Sequence, residues 1–169
     1  MNTIKPLKSL TTAEVKNVIL KFWYLNAGKA HIADFLPILD ESSFSVILKE
    51  RGRIVEEFDG IRGLQDHQDG KGIYYNQRFI LKSIKTKVTR DRAVSHTTSV
   101  WDCLHCEPAM VRCEHLKAIL HHTWIVRRSP TTQQAIIVSH TCDYFRYLPN
   151  FAPKFTRTTE FHLKLPTKQ

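Results

Sequence analysis

The sequence predicts an α+β fold, with helices at the N-terminal end and an antiparallel sheet built from the rest. Apolar residues recur at helical spacing near the start, at Val15, Val18, Ile19, Phe22 and Trp23. From Arg78 to Tyr147 the chain is instead almost continuously rich in β-branched and aromatic residues. Its 169 residues, 42% of them hydrophobic, fall inside the ~100–200 usual for one domain and suffice for a core. A single domain over 1–169 is therefore expected, with its core at about 10–148 and an irregular tail over 149–169 broken by Pro149, Pro153 and Pro166.

In chain order, Thr11 and Glu14 form a capping-box pattern ahead of the first helix, and Asn26-Ala27-Gly28 stops it. A short second helix carries Ile32, Phe35 and Leu36 on one face until Pro37 discourages continuation. Ser43 to Leu48 and Arg53 to Phe58 are strand-like across Gly52, and Ile61 and Leu64, with Gln68, mark a third helix weakened by glycines. Four long strands follow, Arg78–Thr89, Arg92–Leu104, Lys117–Arg128 and Gln134–Tyr147. Their short links, Arg90-Asp91 and Ser129-Pro130-Thr131-Thr132, suit hairpins of an antiparallel meander, whereas His105 to Leu116 is a longer excursion.

Charge and localisation signals exclude several classes. The 25 Lys and Arg exceed the 16 Asp and Glu, for a net charge of +9, but they are spread from Lys5 to Lys168 without a block. Nucleic-acid binding is not expected, because the basic-aromatic signatures of its common modules are absent. No run reaches the ~18–20 apolar residues of a membrane span. Met1 to Ser9 carries Lys5 and Lys8 without an apolar block behind them, so a cytoplasmic location is expected.

The order of elements, together with Val18-Ile19-Leu20-Lys21-Phe22-Trp23-Tyr24-Leu25-Asn26-Ala27-Gly28, Phe58-Asp59-Gly60-Ile61-Arg62-Gly63-Leu64 and Ala135-Ile136-Ile137-Val138-Ser139-His140, resembles the nuclear transport factor 2-like superfamily in its SnoaL-like branch. The resemblance covers about residues 10–148. It implies a cone in which a curved antiparallel sheet wraps around the N-terminal helices and leaves an apolar cavity, often in a homodimer. Members include isomerases, cyclases, dehydratases and noncatalytic subunits, so the fold does not supply the function. The ketosteroid isomerase pattern is not matched. Its general-base aspartate would fall in Ser45-Val46-Ile47-Leu48, where no carboxylate stands, and its oxyanion acid near His121-His122-Thr123-Trp124. Its first-helix tyrosine would fall near Lys21, and Tyr24 lies on another helix face.

Strand alternation nominates a site. It places Ala118, Leu120, His122, Trp124 and Val126 on one face, Ile136, Val138, His140, Cys142 and Tyr144 on the next strand, and Val94, His96, Thr98, Val100 and Asp102 on the preceding one. The expectation is that His96, His122 and His140 converge on a small apolar ligand. Asp102, Tyr144 or Tyr24 would orient a proton transfer, and Trp23, Tyr24, Trp124 and Tyr144 would wall the ligand. Imidazole suits this role because its ordinary pKa lies near neutral pH. The alternative is that each histidine is a core or rim residue bonded to a neighbour. The sharpest expectation pairs His122 with His140 on one inward face, walled by Trp23 or Tyr24. Asp34, Asp40 and Glu41 are expected to be solvated or to cap loops.

Cys103-Leu104-His105-Cys106, followed by Cys113-Glu114-His115, has a spacing that can chelate zinc, but a second matching Cys-x-x-Cys is missing. Reduced thiols are expected, with no bound metal and no disulfide framework. Gly60, Gly63, Gly70 and Gly72 form no dinucleotide fingerprint, and no serine elbow, phosphate loop or paired zinc-protease histidines occur, so no cofactor is expected. A homodimer is expected through the outer sheet face, which would otherwise expose Ile119, Ile125 and Ile137. Two functions remain: an enzyme of isomerase, cyclase or dehydratase type using histidine acid–base chemistry, or a noncatalytic module that binds a ligand or protein.

Overall fold

The computed structural model describes residues 6–108 and 112–154. Residues 149–154 carry neither helix nor strand, and the rest of the expected tail lies outside the described residues. The elements are α1 (Thr12–Ala27), α2 (Ile32–Phe35) with a 3-10 turn over Leu36–Ile38, β1 (Ser45–Glu50), β2 (Arg53–Asp59), α3 (Gly60–Asp69), β3 (Tyr74–Thr89), β4 (Arg92–His105), β5 (Glu114–Arg128) and β6 (Ala135–Tyr147). No helix among the described residues is long and apolar enough to cross a membrane.

The capping box forms at the start of α1. Glu14 N donates to Thr11 Oγ1 at 3.1 Å, and Thr11 N donates to a Glu14 carboxylate oxygen at 2.8 Å. Glu14 is also gripped by Arg128, whose guanidinium hydrogen bond holds the Glu14 carboxyl down at about 2. Behind this anchor Val15, Ile19, Phe22 and Trp23 are buried on the inner face of the sheet. Phe22 packs edge-on against Phe35 at 5.4 Å and Trp124 at 5.5 Å, centroid to centroid.

The sheet runs β2-β1-β6-β5-β4-β3. Its pairings are antiparallel except β1 with β6, which is parallel. A purely antiparallel sheet is therefore corrected to a mixed one at that single junction. The cause is the turn after α2, which lays Leu39 beside Ile137 and lets Asp40 N donate to Ile137 O, so the chain enters β1 running the same way as β6. β1 and β2 close through Arg51 and Gly52, both at positive φ (50° and 79°), which suits a tight two-residue hairpin turn. Gly63 is needed where α3 meets β2: a Cβ there would lie 2.6 Å from the Phe58 carbonyl carbon.

Bulges decide which side chains face inward. Ser139 pairs with Ile125 but Ile137 with Val126, leaving Val138 as an extra residue; His121 pairs with Tyr144 but His122 with Cys142, leaving Asp143 extra. Each bulge flips the parity of β6. Ile137 is thus fully buried and Val138 only partly, the reverse of the expected burial. The same flip removes Ile137 from the outer face, where Ile119 and Ile125 are half-buried.

The β4–β5 excursion is closed by a disulfide between Cys106 and Cys113, with Cα atoms 4.5 Å apart. This corrects the expectation of reduced thiols there, since the loop brings the two residues together across its base. Cys103 and Cys142 are free and buried.

Candidate functional site

The site lies between α1, α3 and the helix-covered side of the sheet. β5 and β6 bring His122 and His140 together there, with ring centroids 4.5 Å apart and both side chains buried. His140 stacks on Trp124 at 4.1 Å with an interplanar angle of 12°. Trp23 stacks on Phe79 at 5.7 Å and meets His122 edge-on at 6.1 Å. These contacts fix the imidazoles sterically without satisfying them. His122 Nδ1 and both ring nitrogens of His140 are buried with no hydrogen-bond partner among the described residues.

A pocket of about 40 Å³ opens beside them. Its walls include His67 on α3, Lys71 just beyond it, Asn26 on α1, Tyr74 and Phe79 on β3, and Trp101, Cys142 and Phe145 from the other strands. Helical spacing explains α3's share, because Gly63, Leu64 and His67 form its buried face. Gln68, one residue further on, donates to Asn26 Oδ1 at 2.7 Å. A bulge in β3, with Asn76 at φ 51°, interrupts its pairing with β4 between Tyr75 and Arg78. Gln77 there is buried, and its Oε1 accepts from Trp101 Nε1 at 3.1 Å.

Burial sets the protonation of the site. It lowers His122 to about 3, aided by the charge of Lys71 and by His121, and it pushes His140 and His67 well below the usual histidine range. Burial also lowers Lys71 to about 8 and raises the Cys142 thiol to about 12. Each imidazole is therefore neutral at pH 7, with one N–H to donate and one nitrogen to accept. No carboxylate among the described residues lines the pocket.

Several expected members lie elsewhere. On β4 the inward set is Ala93, Ser95, Thr97, Ser99, Trp101 and Cys103, the opposite of the parity expected. Small hydroxyl residues occupy that face to make room for indoles, and Thr97 Oγ1 accepts from Trp124 Nε1 at 2.9 Å. His96 is therefore corrected to the outer face, where Nδ1 lies 3.1 Å from Thr123 Oγ1. Asp102 is on that outer face too. Burial pushes its carboxyl up, but hydrogen bonds from His115 and Arg78, both 2.7 Å, more than offset this and hold it below its usual range. It lines an open groove of about 340 Å³ with Asn76, Arg78 and His115, facing away from the paired histidines. Tyr144 follows the Asp143 bulge outward and is 41% exposed, and Tyr24 is 73% exposed on the far side of α1. Neither walls the pocket. Trp23 and Trp124 are buried against the histidines but do not line the pocket, so the expectation that they wall a ligand is corrected too: they pack behind the imidazoles.

The remaining carboxylates and thiols do other work. Asp40 caps its loop, accepting from Ser42 and Ser43 hydroxyls at 2.7 and 2.8 Å and from Arg127, which holds its carboxyl far below the usual range. Asp34 and Glu41 are exposed. With Cys106 bonded to Cys113, the zinc-like spacing dissolves, and no group of three or more His, Cys, Asp or Glu able to hold a metal occurs among the described residues.

Helices on one face of an open mixed sheet, enclosing a small pocket, define an α+β class of fold, and comparison with known proteins says which. The chain has the nuclear transport factor 2-like fold. A solved superfamily protein from Salmonella enterica matches with a TM-score of 0.60 at 13% identity, over 78% of this chain and 88% of that one. The structure of LinA matches with a TM-score of 0.64 at 11% identity, over 84% and 93%. A candidate dehydratase of the NTF2-like family from Streptomyces avermitilis matches with a TM-score of 0.60 at 14% identity, over 78% and 93%. No family model matches the sequence. No curated protein matches it either.

Proposed function

We propose that the protein binds a small, mainly apolar molecule bearing one polar group, as a SnoaL-like protein, in the pocket lined by His122 and His140. The supporting observation is a set of unpartnered ring nitrogens: His122 Nδ1 and His140 Nδ1 and Nε2 are buried without a partner among the described residues. A buried polar group left unpaired costs roughly 1–3 kcal/mol, and a ligand that supplies the missing partner recovers that cost. A ligand oxygen at the edges of the two neutral imidazoles would accept an N–H from one or both, and a hydroxyl would also donate to a free ring nitrogen. Acid–base catalysis is the stronger form of this reading, of the isomerase, cyclase or dehydratase type, and a candidate dehydratase is among the proteins of similar fold. In that form Lys71, at about 8, is the group that holds a proton near neutral pH, while the two histidines orient the reacting oxygen. The noncatalytic binding module is the second reading, favoured by the small volume of about 40 Å³.

The test replaces each imidazole with an apolar ring or branch, in His140→Phe and His122→Leu. If the histidines serve a ligand, binding of small oxygen-bearing fragments is lost while the thermal midpoint stays level or rises. Retained binding with a loss of about 1–3 kcal/mol of stability would assign them to structure instead. Pairing of two copies across the outer sheet face belongs to the same proposal, supported by half-buried Ile119 and Ile125 and exposed Val94 on that face. Light scattering that shows only a monomer at micromolar concentration would remove it.

A further inference from the structure

We infer that the pocket recognises a carboxylate, and that Lys71 is the residue that selects for it. The inference rests on the ligand-binding reading above and names the class of ligand. Lys71 follows directly on Gly70, the C-cap of α3, and its backbone is pinned at both ends: its N–H donates to Gln68 O at 2.9 Å and its carbonyl accepts from Tyr74 N at 3.1 Å. The tight turn commits the side chain to the pocket, where no Asp, Glu or Arg among the described residues shares the wall. Its ammonium lies 3.5 Å from Asn26 Oδ1, an oxygen that already accepts from Gln68 Nε2 at 2.7 Å. Around it stand aromatic rings, neutral imidazoles and the un-ionised Cys142 thiol.

A cation placed among such groups is under-compensated, and the group that compensates it is an anion. Size narrows the anion. A water-sized site needs roughly 10–15 Å³, so a pocket of about 40 Å³ has room for about three heavy atoms, the size of a CO₂⁻ group. The nearby imidazole N–H groups of His122 and His140 then donate to the oxygens, and the pocket's partly open side leaves an apolar body to lie outward along Phe79 and Phe145. The ligand class is thus a monocarboxylate with a compact apolar body.

The test compares benzoate with benzamide, and acetate with acetamide, by titration against the full chain at pH 7, following the Trp101 indole by NMR. Each pair differs mainly in charge. The expected result is that each acid binds roughly tenfold or more tightly than its amide, and that Lys71→Met abolishes this preference while leaving amide binding in place. The acid–amide ratio of the unmodified protein decides the matter even if the variant fails to fold, and Lys71→Arg, which keeps the charge, should retain part of the preference. Equal binding of acid and amide overturns the carboxylate inference and leaves the ligand-binding reading standing. Absence of binding by all four in the ~10 mM range overturns both.

Discussion

Acidification should destabilise this protein well before its carboxylates protonate. His122, at about 3, together with His140 and His67, must stay neutral in the folded state. The unfolded chain takes up these protons near pH 6.5. A folded pKa below the unfolded one means that the unfolded state binds more protons in between. The associated stability is therefore complete above about pH 6.5 and is lost as pH falls towards the folded value. Each such group removes up to about 1.4 kcal/mol per pH unit, so His122 alone removes on the order of 4 kcal/mol by pH 3, against a typical total of about 5–15. Glu14, at about 2, Asp40 and Asp102 add their own loss only below about pH 4.5, where unfolded carboxylates begin to protonate. The interval from pH 6.5 to 5 is thus a histidine window. Urea unfolding at half-unit steps from pH 7.5 to 4.5 measures it, and His140→Phe should remove about one proton from the slope. A slope below about one proton, or roughly 1.4 kcal/mol per pH unit, between pH 6 and 5 would refute the assignment of three buried neutral imidazoles.

Other predictions concern the frame around the site. Arg128→Lys should cost about 2–4 kcal/mol in chemical unfolding, because the buried guanidinium donates to Lys8 O, Ser9 O, Gln133 O and both Glu14 oxygens, and an ammonium cannot span that fork. Gly63→Ala should cost about 1–3 kcal/mol, since the added Cβ would meet Phe58 backbone rather than a movable side chain. A neutral result from either, read as an unchanged denaturation midpoint, would contradict the packing described. Burial raises Cys103 and Cys142 to about 12, so iodoacetamide at pH 8 should leave both unlabelled in the native protein and modify them in urea, as read by mass spectrometry.

The order of elements was legible in the sequence because its cues are local. Thr11 with Glu14, the helical spacing from Val15 to Trp23, and the β-branched runs from Arg78 onward each act within a few residues. The inward placement of His122 and His140 was legible because β5, which carries His122, keeps one parity throughout, and His140 lies between the two bulges of β6. Tyr144 and Val138 were misplaced because a bulge is a property of two paired strands, invisible along one. His96 and Asp102 were misplaced for a different reason. On β4 the outward residues are the more apolar, while serines and threonines fill the inner face to accommodate Trp124. Lys71 and His67 carried a usable signal, the spacing of Gly63, Leu64 and His67 on α3, which the surrounding glycines masked.

The most direct measurement is a ¹⁵N-resolved NMR titration of the histidine ring nitrogens with a library of small apolar molecules that each carry one oxygen group. The account predicts that a subset, enriched in carboxylates, shifts the ring nitrogens of His122 and His140 together and that the pair His122→Leu, His140→Phe abolishes their binding. Fragments that bind while leaving both imidazoles unmoved, or that gather instead in the outer groove beside Asp102 and His115, would contradict it.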